Sequence, residues 1–170
     1  MCCVSVRDVN KKARRILVIQ QNQQLGGLNN KLRSEFGHSV KDEMHSDNDQ
    51  MSLLIVEDTE DNRFMMRKLL EMEGYRVVEA RNGEEAVKVA QAENPALILM
   101  DLSLPIIDGL AATRLIRKLP ALEKTPIIVV SAHDTADFQA RALKAGCDRY
   151  ITKPIDFERL EELIAELLGE

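Results

Sequence analysis

Residues 96–101 (ALILMD) form a run of apolar side chains that ends at a carboxylate. A second run of the same kind, residues 53–58 (LLIVED), ends in two carboxylates. Strands that are apolar throughout are typical of parallel sheets covered by helices on both faces. The two runs therefore predict central strands of a doubly wound α/β domain.

The alternation of strand and helix continues along the chain. Stretches with helical spacing separate the short apolar runs, and in the first of them Phe64, Met65, Leu69 and Met72 share that spacing before Gly74 stops the helix. The predicted strands cover 53–56, 76–79, 96–100, 127–130 and 148–151, and the predicted helices cover 61–73, 84–93, 109–118, 135–145 and 156–168. Five such β–α units predict one five-stranded parallel sheet.

The first fifty residues differ in composition from the rest. Residues 20–50 are rich in Gln, Asn, Ser and Asp, with scattered apolar residues that cannot offset the entropy of ordering. We therefore predict a flexible N-terminal extension over 1–50 and one folded domain over 51–170. Within the extension, residues 16–19 (ILVI) form a strand-like run whose structure the sequence does not decide.

Composition and charge exclude several classes of protein. The chain has no apolar run of about eighteen residues and no apolar signal region, so we expect a cytoplasmic protein without membrane contact. Residues 51–170 carry 15 Lys and Arg against 22 Asp and Glu, which disfavours direct nucleic-acid binding. Cys2, Cys3 and Cys147 match neither a disulfide framework nor a metal-ligand spacing.

Polar side chains follow four of the predicted strands. They are Glu57, Asp58, Asp101, Ser131 and Lys153. In an open parallel sheet, such residues converge at the carboxyl ends of the strands, near the topological switch point. Clustered carboxylates suit Mg²⁺, a lysine adds a compact positive charge, and an aspartate can act as a nucleophile. The pattern predicts Asp101 as that nucleophile.

The motifs at these positions resemble the receiver domain of bacterial two-component response regulators. They are residues 53–58, 98–109, 131–132 and 150–154, in that order, and the resemblance covers about 120 residues after Asp49. The separations also resemble those of the family: 43 residues from Asp58 to Asp101, 30 to Ser131 and 22 to Lys153. The resemblance implies a flavodoxin-like sheet with strand order 2-1-3-4-5.

The resemblance also implies a role for each matching residue. Asp101 would be the phosphoacceptor, and Glu57, Asp58, Asp101 and the backbone carbonyl of Ser103 would coordinate Mg²⁺. By the same resemblance, the hydroxyl of Ser131 would move toward the phosphoryl group, and Tyr150 would swing inward behind it. Lys153 would be the lysine of the family motif, followed by a cis peptide bond to Pro154. Ser131 replaces the commoner threonine and Glu57 a second aspartate, which are mild variants.

The resemblance implies a phosphorylatable switch and not an enzyme in the ordinary sense, with at most self-catalysed phosphorylation and dephosphorylation. The phosphodonor would be a histidine kinase or a histidine phosphotransfer protein that docks on the first helix. That helix carries more apolar residues than one buried face needs, namely Met65, Met66, Leu69 and Leu70, so part of its surface suits a partner. Because the sequence ends with the fifth predicted helix, we expect a stand-alone receiver that signals through a separate output protein. Homodimerisation through the face around Tyr150 stays open.

Two other functions share parts of this pattern. One is a binding scaffold with the receiver fold that is never phosphorylated, and the complete set of site residues argues against it. The other is a hydrolase of the haloacid dehalogenase type, which also uses a nucleophilic aspartate. That class would place a second acid two residues after the nucleophile, where this chain has Ser103.

Overall fold

The computed structural model describes residues 51–169, which form five strands and five α-helices in alternation. The strands are β1 (Ser52–Val56), β2 (Arg76–Ala80), β3 (Leu97–Asp101), β4 (Ile127–Ser131) and β5 (Arg149–Thr152); the helices are α1 (Glu60–Met72), α2 (Gly83–Glu93), α3 (Gly109–Ile116), α4 (Ala136–Ala145) and α5 (Phe157–Leu168). A single 3-10 turn, Pro120–Leu122, lies between α3 and β4. The N-terminal extension predicted for 1–50 lies outside the described residues.

The sheet has the order β2-β1-β3-β4-β5, and every neighbouring pair of strands is parallel. This confirms the doubly wound fold and the strand order. The chain moves outward from β1 to β2 and then returns to place β3 on the other side of β1. The carboxyl ends of β1 and β3 therefore border the switch point, where ligand sites of such sheets lie.

Side chains along each central strand point alternately into two cores. On one face, Leu54 and Ile98 belong to the core that α2, α3 and α4 cover. On the other face, Leu53 and Leu99 belong to the core that α1 and α5 cover. Because both faces are covered by helices, the central strands are apolar throughout, as the sequence predicted.

The structure corrects the apolar face predicted for α1. Phe64, Met65 and Met72 are exposed, whereas Met66 and Leu70 are buried. Arg63 is also buried, although a charged residue near a helix start ordinarily faces water. The helix is therefore rotated so that positions 63, 66 and 70 face the sheet, and apolar side chains remain on its outer surface.

The predicted boundaries of the strands and helices lie within one residue of the observed ones, except at the end of α3. Helix α3 ends at Ile116 and not at Lys118, because the chain turns toward Pro120, and residues before proline disfavour helical geometry. Strand β5 begins at Arg149 and ends at Thr152, one residue later than predicted.

Candidate functional site

Three carboxylates meet at the carboxyl edge of the sheet. Glu57 and Asp58 directly follow β1, and Asp101 is the last residue of β3. One oxygen from each of these residues, hereafter the acid cluster, lies within 4.8 Å of the others. Glu57 and Asp101 are almost fully buried, while Asp58 is exposed. Three carboxylate oxygens at this spacing, with one side open to solvent, fit a hard divalent cation such as Mg²⁺.

Lys153 supplies the positive charge among these acids. Its Nζ donates to Glu57 Oε2 at 2.8 Å and to Asp101 Oδ2 at 2.6 Å. Burial opposes the charge of the ammonium, but the hydrogen bonds and the attraction of both carboxylates outweigh that cost and raise the pKa of Lys153. The predicted cis peptide bond between Lys153 and Pro154 is confirmed.

The β3–α3 loop is packed closely against Asp101. The backbone amide of Ser103 donates to Asp101 Oδ1 at 2.9 Å. A Cβ atom at Gly109 would lie 2.0 Å from the carbonyl oxygen of Asp101, so only glycine allows α3 to begin there. The loop also contains Ile106 at a φ of 69°, which is an unusual backbone conformation for a β-branched residue.

Ser131 and Tyr150 lie on the side of β4 and β5. Ser131 ends β4 and is fully buried, and its Oγ accepts a hydrogen bond from the amide of His133 at 3.1 Å. Tyr150 is half-buried and donates its hydroxyl to the carbonyl oxygen of His133 at 2.6 Å. The His133 ring stacks on Phe138 with a centroid distance of 4.2 Å. The loop after β4 is thus joined to both predicted switch residues.

Two contributing residues on α1 were missed by the sequence analysis. Asn62 Nδ2 donates to Glu57 Oε1 at 3.2 Å. Arg63 donates from NH1 to the carbonyl oxygen of Glu57 at 2.9 Å. Both lie in the first turns of α1, the part of that helix that faces the end of β1, and this proximity is the one sequence signal that could have identified them.

A pocket of about 270 Å³ borders the acid cluster. Met65, Pro154, Ile155 and Phe157 form much of its wall, and Glu57 and Lys153 also line it. The pocket therefore joins an apolar surface between α1 and the start of α5 to the charged groups of the site.

None of the helices between residues 51 and 169 has the length and apolar character that a bilayer crossing requires.

Comparisons with known proteins agree with this architecture. The sequence model of the response regulator receiver domain matches residues 53–165. The polar-differentiation response regulator DivK of Brucella anthropi is 40% identical over 119 residues, which is 70% of this chain and 97% of that relative. DivK of Brucella ovis is 39% identical over the same length and with the same coverage.

Solved structures of receiver domains have the same fold as this chain. The receiver domain of a sensor histidine kinase from Pseudomonas aeruginosa, which holds a magnesium ion in its active-site cleft, superimposes with a TM-score of 0.67 at 32% identity and covers 71% of this chain and 99% of that one. A receiver domain from Syntrophus aciditrophicus gives 0.66 at 33% identity, covering 70% and 90%. The chain belongs to the response regulator receiver family, whose members are regulatory switches.

Proposed function

We propose that the chain accepts a phosphoryl group on Asp101, in a Mg²⁺-dependent step, from a histidine kinase or a histidine phosphotransfer protein. The observation that carries this proposal is the buried Asp101 carboxylate beside Glu57, Asp58 and Lys153 at the switch point. In the reaction, the P–N bond of a phosphohistidine breaks and a carboxylate oxygen of Asp101 forms the new O–P bond. The imidazole leaves with the electron pair of the broken bond.

Each site residue has a part in the proposal. Glu57, Asp58 and Asp101, with the Ser103 carbonyl, would hold Mg²⁺, which supplies positive charge where the carboxylates meet the phosphoryl oxygens. Lys153 already contacts Asp101 and would pair with the transferred group.

Ser131 and Tyr150 would carry the response. In the structure, the Ser131 Oγ accepts a hydrogen bond from the amide of His133. This hydrogen bond would break when the Ser131 side chain rotates and its hydroxyl donates to a phosphoryl oxygen. Because Tyr150 bonds the carbonyl of the same residue, a shift of His133 also reaches β5. The proposed switch thus runs from Asp101 through the loop after β4 to Tyr150.

The partners are part of the proposal. The exposed side chains of Phe64, Met65 and Met72 and the pocket beside Glu57 suit docking of the phosphodonor near α1. The output would pass to a separate protein, or to a second copy of the chain through the face around Tyr150. The family match that starts at residue 53 supports a domain over 51–170 preceded by an extension, in a cytoplasmic protein.

The direct test is incubation of the full chain with Mg²⁺ and acetyl phosphate, followed by intact mass. We expect one phosphoryl group on the wild type, none on Asp101→Ala, and none after chelation of Mg²⁺. Asp134→Ala is the matched control, because Asp134 is an exposed acid close to the site. Phosphorylation of Asp101→Ala would contradict the assignment, and a wild type that neither gains a phosphoryl group nor binds beryllofluoride would favour the scaffold function.

A further inference from the structure

The buried guanidinium of Arg63 contacts the loop that carries the acid cluster. Arg63 is 5% exposed, so its charge must be compensated within the protein. Its Nε lies 3.4 Å from Glu79 Oε1 on β2. Its NH1 donates to the Glu57 carbonyl oxygen at 2.9 Å and, over a longer 3.4 Å, to the Asp58 carbonyl oxygen.

These two carbonyls belong to the peptide planes on either side of the Asp58 α-carbon. A contact to both planes restrains the φ and ψ of Asp58 and therefore the direction of its side chain. Arginine suits this task because its planar fork presents several donors in fixed directions.

Asp58 needs this support more than the other acids do. Lys153 and Asn62 bond the Glu57 carboxylate, and Lys153 bonds that of Asp101. Among residues 51–169, the exposed Asp58 carboxylate accepts one long hydrogen bond of 3.4 Å, from the hydroxyl of Thr59. Its position thus depends mainly on the backbone that carries it.

We propose that Arg63 is a positioning residue for the metal site: held by Glu79, it fixes the Asp58 backbone and so aims the Asp58 carboxylate at Mg²⁺. This inference rests on the proposed function, since it assumes that the acid cluster binds Mg²⁺. Partners behind metal ligands commonly contribute on the order of ten-fold or more in metal affinity.

The sign of the effect separates positioning from plain electrostatics. Arg63 carries a positive charge near the cation site, so its removal would tighten Mg²⁺ binding if Coulomb repulsion alone mattered. If Arg63 positions Asp58, its removal weakens binding. The two explanations therefore predict opposite changes in the Mg²⁺ dissociation constant.

Arg67 provides a matched control on the same helix. Its NH1 lies 3.5 Å from Glu79 Oε2, so it shares the carboxylate partner of Arg63. No bond from Arg67 to the Glu57 or Asp58 carbonyl is found in the described part of the chain. Arg67→Met removes the same charge and perturbs the same acid without touching the loop.

The experiment is an Mg²⁺ titration of the ¹⁵N-labelled full chain, followed by amide chemical shifts, for wild type, Arg63→Met, Arg63→Lys and Arg67→Met. We expect Arg63→Met to raise the Mg²⁺ dissociation constant on the order of ten-fold and Arg67→Met to leave it unchanged. Arg63→Lys keeps the positive charge, so it provides the measurement if Arg63→Met does not fold. Its ammonium ends one bond short of the NH1 position, so weaker binding is expected there as well.

The outcomes are distinct. Wild-type affinity in a folded Arg63→Met, or in Arg63→Lys when Arg63→Met does not fold, would overturn the inference. Equal weakening in Arg67→Met would overturn it too, because the cause would then be the Glu79 ion pairs. Failure of the wild type to bind Mg²⁺ would instead refute the proposed function on which the inference rests.

Discussion

The carboxyl edge of the sheet has two sides that are held in different ways. On the acid side, Glu57 and Asp101 are buried and share the ammonium of Lys153. On the loop side, Ser131 is buried, but residues 132–137 after it are exposed. A hydrogen bond from Tyr150 connects that loop to β5.

This difference separates the chemistry from the response. Reacting groups work best when their surroundings hold them in place, and the ion pairs of the acid side do so. A switch needs two arrangements separated by only a small free energy. A neutral hydrogen bond contributes about 1 kcal/mol net, so the loop side can rearrange at low cost. We therefore expect substitutions on the acid side to lower the free energy of unfolding more than substitutions on the loop side do.

The largest effect is expected for Gly109→Ala. The new Cβ would overlap the Asp101 carbonyl oxygen, and because that oxygen is backbone, the loop or α3 must move. We expect the free energy of unfolding in urea to fall by about 3–5 kcal/mol. Gly74→Ala is the control, because no described atom lies within 4 Å of its added Cβ, and only the cost of its positive φ remains. Equal losses in both variants would contradict the tight packing assigned to Gly109.

Removal of the Lys153 charge is expected to have the next largest effect. In Mg²⁺-free buffer, Lys153→Met leaves the buried Glu57 and Asp101 carboxylates without their cation. We expect a loss of about 2–4 kcal/mol of unfolding free energy, part of which added Mg²⁺ restores. Lys68→Met, which removes an exposed ion pair with Glu71, should change stability by less than about 1 kcal/mol. A wild-type stability for Lys153→Met would show that the acid side is not held by this charge.

A pH dependence is expected from Cys147, which is buried just before β5. Desolvation, followed by the nearby Asp148 charge, raises the pKa of the Cys147 thiol from 9.0 to about 11. Between pH 9 and 11 the folded state keeps this proton, whereas the unfolded state loses it. The contribution of the thiol to the free energy of unfolding is therefore fully present below pH 9 and is lost as the pH rises toward 11. The loss amounts to about 2–3 kcal/mol. Urea unfolding at several pH values should show a shallower fall for Cys147→Ala, and identical slopes would contradict the assignment.

A smaller effect is expected on the loop side. Tyr150→Phe removes the hydroxyl that bonds the His133 carbonyl and keeps the ring. We expect a loss of about 1 kcal/mol in urea unfolding, since the freed carbonyl lies near solvent. A loss as large as that of Lys153→Met would remove the contrast between the two sides.

The smallest effect, and the only gain, is expected for Ile106→Asn. Ile106 is 75% exposed and has a positive φ, which asparagine tolerates better than a β-branched residue. We expect an increase of about 0.5–1 kcal/mol in unfolding free energy. Ile107→Asn, at a neighbour packed against the core, should instead be destabilising. A loss in both variants would argue that the Ile106 conformation carries no strain.

The sheet could be predicted because its central strands are continuous apolar runs ending in polar residues. The polar residues at the ends of these strands identified the candidate site residues. The structure brings them to the carboxyl edge of the sheet; they are Glu57, Asp58, Asp101, Ser131 and Lys153. Their roles and the boundary of the N-terminal extension stay predictions.

Other features left no clear signal in the sequence. Arg63 has the charge of a surface residue, and only the rotation of α1 shows that it is buried. The contact of Tyr150 is with a backbone carbonyl, an acceptor that every residue offers. The sequence indicated more apolar residues on α1 than one buried face needs, but it did not show that Phe64 and Met65 would be the exposed ones.

The most direct test of the account compares amide NMR spectra of the ¹⁵N-labelled full chain with Mg²⁺, before and after addition of beryllofluoride, which mimics the phosphoryl group. We predict large shifts from Ser131 to Phe138 and at Tyr150, with small shifts in β1 and α1 beyond the acid cluster. Asp101→Ala should show none of these changes. Beryllofluoride binding that leaves the loop after β4 and Tyr150 unchanged would contradict the proposed switch.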